Sequence, residues 1–181
     1  MVAKKDILGR SNGKGGNMKK LILLALLAVM AVPGLARAEL SSGVVDMKAL
    51  EKLDSRALKL TDDIISSMKQ DQKANHDNEM YILVHLMPVI NFTQITKVQT
   101  AMLDFILSER SQGEKSGASL MVGAACDQYI DILSEYLSNA KEIYRISKDE
   151  NLNLLKDILT DAIAIFKSTK DKCLALSKQN R

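Results

Sequence analysis

The sequence predicts an all-α protein, an antiparallel up-down-up-down four-helix bundle, and three observations carry that expectation. Apolar residues recur every three or four positions over four long segments, the spacing that gathers them on one side of a helix. No stretch alternates apolar and polar residues with the period of two that a half-buried strand needs. Beyond residue 38, Pro88 is the one proline, so little in the chain interrupts a helix.

The first segment runs from Val44 to Lys69, with Val44, Met47, Leu50, Leu53, Ala57, Leu60, Ile64 and Met68 on its apolar side. The second runs from Asn78 to Glu109, through Tyr81, Val84, Ile95, Val98, Met102, Phe105 and Ile106. The third spans Ser116 to Ile146, through Val122, Cys126, Tyr129, Leu133, Tyr136, Ala140 and Ile143. The fourth spans Asn151 to Ser177, through Leu155, Ile158, Ala162, Phe166, Thr169, Cys173 and Leu176. One apolar stripe per helix is the pattern of helices packed on a shared core. The connections are Gln70 to Asp77, Ser111 to Gly117 with its two glycines, and Ser147 to Glu150, all built of residues that end helices. Links this short force neighbouring helices to run antiparallel, in a bundle about 40 Å long at about 1.5 Å per residue. Pro88 lacks a backbone donor and is expected to kink helix two or to split it, which leaves a five-helix arrangement open.

The N-terminal part reads as a leader. From Met18, Lys19 and Lys20 give a positive start, Leu21 to Val32 an unbroken apolar run, and Ala36-Arg37-Ala38 the small residues that a signal peptidase inspects. Residues 18–38 are therefore expected to be a cleavable secretory signal peptide, residues 39–181 one bundle domain, and the address the bacterial periplasm or exterior. Pro33-Gly34 ends the apolar run well short of the roughly 20 residues that span a bilayer, so no stable membrane span is expected after cleavage. Residues 1–17 are polar and glycine-rich. Gly13-Lys14-Gly15-Gly16-Asn17 matches codons of a purine-rich ribosome-binding site, so Met18 is expected to be the start and residues 1–17 an untranslated extension. Removing residues 1–38 takes away seven of 25 basic and one of 22 acidic residues. The remaining 18 basic and 21 acidic residues give a net charge of −3, with no cluster of Lys and Arg to meet a nucleic acid.

Cys126 and Cys173 are expected to form a disulfide between helices three and four. They lie equally far from a turn centred between Asp149 and Glu150, and each falls on its helix's apolar stripe. Exported chains in an oxidising compartment pair their cysteines, and closing a loop of this length stabilises a fold by about 4 kcal/mol in the chain-entropy view.

No constellation points to catalysis, a metal or a cofactor. Covalent haem needs Cys-x-x-Cys-His, which is absent, and nothing places a partner opposite His85 or His76. Carboxylate di-iron bundles need Glu-x-x-His, also absent, and His76-Asp77-Asn78-Glu79 falls in a polar connection. Asp127, Asp131 and Glu135 form an acidic ridge expected to face Lys172 and Lys167. There is no Gly-x-Ser-x-Gly elbow and no phosphate-binding loop. Tyr129, Tyr136 and Tyr144 share one side of helix three and read as wide core layers.

The chain is therefore expected to be a non-enzymatic exported protein that binds another envelope protein or itself as a homodimer: an adaptor, inhibitor or chaperone-like factor. The expected surface is on helix two, where Tyr81, Leu83, Leu86, Met87, Val89, Ile90 and Phe92 are too many apolar residues for one stripe. The alternative is a small-ligand, haem or metal carrier using the bundle interior near Pro88, with Tyr81, His85 and Met87 as polar handles.

Overall fold

The first helix, α1 (Met47–Gln70), begins where Asp46 takes an extended conformation and its side chain accepts a hydrogen bond from the Ala49 amide at 3.0 Å. That satisfies one of the donors a helix start leaves open. Leu50, Leu53, Ala57, Leu60 and Ile64 then bury one face of it. These assignments come from a computed structural model that describes residues 43–71 and 76–179. The expected extension and signal peptide, residues 1–38, lie outside the described residues.

Three further helices follow, α2 (Asp77–Glu109), α3 (Gln112–Ser147) and α4 (Glu150–Gln179), with no strand among the described residues. The protein is an all-helical bundle. Polar contacts fix which ends adjoin. Arg56 of α1 pairs with Asp161 of α4, Asn78 of α2 donates to Asp149 at the start of α4 (3.2 Å), and Ser116 of α3 donates to the Ser177 carbonyl of α4 (3.0 Å). The core is the apolar side of all four, with Phe166, Leu133, Leu155 and Leu159 fully enclosed. Removing such a side chain from water contributes about 1.5–3 kcal/mol.

Two expectations about connections change. The stretch Ser111 to Gly117 is not a loop, because α3 starts at Gln112 and runs through both glycines. Ser111 and Glu114 form a reciprocal cap: the Ser111 hydroxyl accepts from the Glu114 amide, and the Glu114 carboxylate accepts from the Ser111 amide at 3.1 Å. That cap offsets part of the helix cost of Gly113 and Gly117. Helix two is also neither split nor divided into a fifth helix, since α2 is continuous through Pro88. The carbonyl that loses its helical donor is that of Val84, an exposed residue.

The expected disulfide is absent. Cys126 and Cys173 are free, fully buried thiols with no sulfur–sulfur approach within 4.5 Å. The level expected from the turn is off by about one helical turn, since Cys173 lies against Gly123 rather than Cys126, whereas a disulfide needs the two Cβ atoms about 3.5–4.5 Å apart. The residue beneath Cys173 is Gly123, one turn before Cys126. A Cβ built on Gly123 would stand 3.4 Å from the Cys173 Cβ, so the glycine supplies the close approach. Burial pushes Cys126 up to about 12 and Cys173 up to about 11, with the neighbouring Cys173 adding to the shift of Cys126. Both are inert as nucleophiles at neutral pH. Among the described residues no helix is long and apolar enough to cross a membrane.

Candidate functional site

The second helix is turned about half a revolution from the orientation its most apolar residues suggest. Its buried stripe is Ile82, Leu86, Val89, Thr93, Thr96, Thr100 and Leu103. The residues expected inside, Val84, Ile95, Val98, Met102 and Phe105, are exposed instead.

The flanks of α2 explain the rotation. Toward α1, the Asp54 carboxylate accepts from the Gln94 amide at 2.6 Å and pairs with the Lys97 ammonium at 2.9 Å, and Asp54 itself is buried. Toward α3, the Phe92 ring stacks on Tyr129 with centroids 4.2 Å apart, and Tyr129 in turn meets Phe166 edge-on at 5.4 Å. The Gln99 side chain hydrogen-bonds the Tyr129 hydroxyl, whose acidity burial suppresses. Residues 94 and 97 on one flank and 92 and 99 on the other leave one orientation. Thr93, Thr96 and Thr100 lie between them against the core, at a helical period of 3.6. Thr93 and Thr100 satisfy their hydroxyls by donating to the carbonyls of Val89 and Thr96, each at 2.7 Å. The Thr96 hydroxyl is buried without a partner.

The consequence is an apolar stripe facing outward. Its upper half is Met80, Val84 and Met87, and its lower half Ile95, Val98, Met102 and Phe105, with Asn91 between them. From Met80 to Phe105 every exposed residue of α2 is one of these or Gln94, so the face carries no charge over about 38 Å at about 1.5 Å per residue. Lys97, the nearest cation on the helix, is turned to Asp54. An uncharged apolar surface of this extent is what an interaction face looks like before its partner is seated.

The residues expected to form the surface divide between the two sides. Leu86 and Val89 are fully buried and belong to the core, Met87 is exposed on the stripe, and Tyr81, Leu83, Ile90 and Phe92 are half-buried along its edges. The lower half escaped the sequence reading because its residues were assigned to the core. The available signal was Thr93, Thr96 and Thr100 at helical spacing, flanked by Gln94 and Lys97 within reach of an acid on α1.

The residues weighed for chemistry are held in structural contacts. His85 hydrogen-bonds the Tyr81 carbonyl through Nδ1 at 2.7 Å, stacks on the Tyr81 ring at 4.0 Å and meets Tyr136 edge-on at 4.5 Å. Burial, then the neighbouring Tyr136, raises the Tyr81 hydroxyl above its ordinary range. His76 hydrogen-bonds the Asp71 carbonyl through Nε2 at 2.6 Å. On the acidic ridge Asp127 pairs with Lys170, whereas Lys172 donates to the Gly43 carbonyl at 2.8 Å. Tyr144 lies under the Lys156 ammonium, 4.0 Å from the ring centroid. Among the described residues no three His, Cys, Asp or Glu side chains gather as a metal site. No protein-family model, curated protein or solved structure matches the chain.

Proposed function

We propose that the chain is an exported, non-enzymatic protein of the bacterial envelope that acts by binding another protein through the outward face of α2, as an adaptor, inhibitor or chaperone-like factor. The observation that carries this is the uncharged stripe from Met80 to Phe105. An isolated surface leucine needs no explanation, but an uncharged stripe of seven exposed apolar residues, interrupted only by Asn91 and Gln94, along a helix that buries three threonines does. The leader-like segment Met18 to Ala38 supports export.

A photo-crosslinking amino acid placed at Met87 or Met102 in the expressing host tests the reading. Discrete protein adducts are expected from both positions, and none from Leu154, an exposed apolar residue of α4. Adduct-free chain at both positions contradicts it. The alternative, a small-ligand, haem or metal carrier near Pro88, requires room beside that residue. Leu86 and Val89 fill the core there, so no observation favours it.

A further inference from the structure

The outward face of α2 is self-complementary, and we infer that it pairs with the same face of a second copy of this chain, the two α2 helices antiparallel about a two-fold axis. The inference rests on the reading of that face as a protein-binding surface, and three properties select a copy of the chain as its occupant.

The first is register. Turning the stripe end for end about a point between Phe92 and Thr93 sets Met87 against Val98 and Met80 against Phe105, and brings Val84 within one residue of Met102. In the inner layers long side chains then meet short ones, which lets those layers interdigitate, while the two long residues Met80 and Phe105 meet at the ends of the seam. Parallel pairing sets Met on Met and Val on Val, making layers alternately too wide and too narrow for close packing. The antiparallel register also brings the Asn91 amide to the Gln94 amide across the axis. A polar pair within an apolar seam fixes register between two helices.

The second is charge. A two-fold interface sets one patch against itself, so any charge on it meets its own sign. The exposed residues from Met80 to Phe105 include none. A basic or acidic partner finds no counter-charge on this face. A helix that lies on a lipid surface carries Lys and Arg on its polar side, and Lys97 here is already held by Asp54.

The third is area. The seven apolar side chains of the stripe are 38% to 61% exposed. That amounts to roughly 650 Å² per copy before the half-buried edges are added, against about 800 Å² per partner in a stable interface. Self-pairing therefore buries about what a dimer requires.

The test is sedimentation of the chain purified from its expressing cells, over micromolar to near-millimolar concentrations, with intact mass recording whether residues 21–32 remain attached. Wild type is expected to dimerise. Val98→Glu is expected to weaken association by about 100-fold or more with unchanged helicity, because it buries two like charges per dimer. Val98→Leu is expected to keep it. Mixing Met87→Cys chains with Val98→Cys chains is expected to give an oxidised heterodimer, while neither variant crosslinks to itself. Wild type that stays monomeric throughout overturns the inference, as does a monomer whose attached residues 21–32 cover the face. Ready self-crosslinking of Met87→Cys overturns the antiparallel register. A monomer that still forms adducts with another protein from Met87 and Met102 ends self-pairing and preserves the binding reading. A monomer without adducts ends both.

Discussion

Cys126 and Cys173 show what a residue number determines and what it does not. The apolar stripe gives burial, which is seen, but the common level expected from their spacing about the turn is not, since Cys173 lies against Gly123, a turn before Cys126. The distance between them depends on how Gly123 seats the Cys173 side chain, which no count along the chain contains. In folded protein at neutral pH both thiols are expected to resist alkylation and to react fully once denaturant is added. Rapid alkylation of either one in native protein contradicts their burial. Their raised pKa values carry a sign: the unfolded thiols ionise near 9 while the folded ones stay neutral to about 11 and 12. Their contribution to stability is thus complete below about pH 9 and is lost as the pH rises toward 12. Denaturation midpoints measured across that range are expected to fall more in wild type than in Cys126→Ala/Cys173→Ala. Thr96 gives a simpler case, since its buried hydroxyl has no partner. Thr96→Val keeps the shape and removes the orphan group, and is expected to raise unfolding free energy by about 1 kcal/mol in urea titration.

At the scale of the element, helix existence and register were legible wherever one stripe dominated. In α1, Leu50, Leu53, Ala57, Leu60 and Ile64 lie on the side their spacing predicts, and all are buried. The start of α3 was not legible, because Gly113 and Gly117 were read as breakers while the Ser111 and Glu114 pair was passed over. Ser111→Ala is expected to cost about 1 kcal/mol by removing that cap. Hydrogen bonds from Ser111 hold the Glu114 carboxyl below its ordinary range, so the cap is complete above that range and fades as the pH falls through and below it. Hydrogen exchange at the first turn of α3 is expected to quicken accordingly in acid. At Gly117 an added Cβ meets nothing within 4 Å. Gly117→Ala is therefore expected to stabilise by up to about 1 kcal/mol, read from the thermal midpoint. The orientation of α2 was the largest misreading. A hydrophobic pattern ranks residues by their dislike of water, and α2 is apolar on both sides. The choice fell to polar groups that periodicity ignores: Asp54 drawing Gln94 and Lys97 to one flank, and Tyr129 drawing Phe92 and Gln99 to the other.

For the molecule as a whole, the same geometry joins fold to function. The bundle closes with threonine where α2 meets the core, and this leaves Val98, Met102 and Phe105 for the outside. A helix that spends its large apolar residues on water is reasonable only if water is not their final neighbour. The sequence showed that helix two had apolar residues to spare but placed them from Tyr81 to Phe92, whereas the exposed stripe continues to Phe105. The most direct measurement is carbene footprinting of the chain in its native envelope against the same chain purified and diluted. Met80, Met87, Val98 and Met102 are expected to be protected together in the envelope, with Leu154 and Ile146 labelled equally in both samples. Equal labelling of the α2 stripe in both would contradict the account.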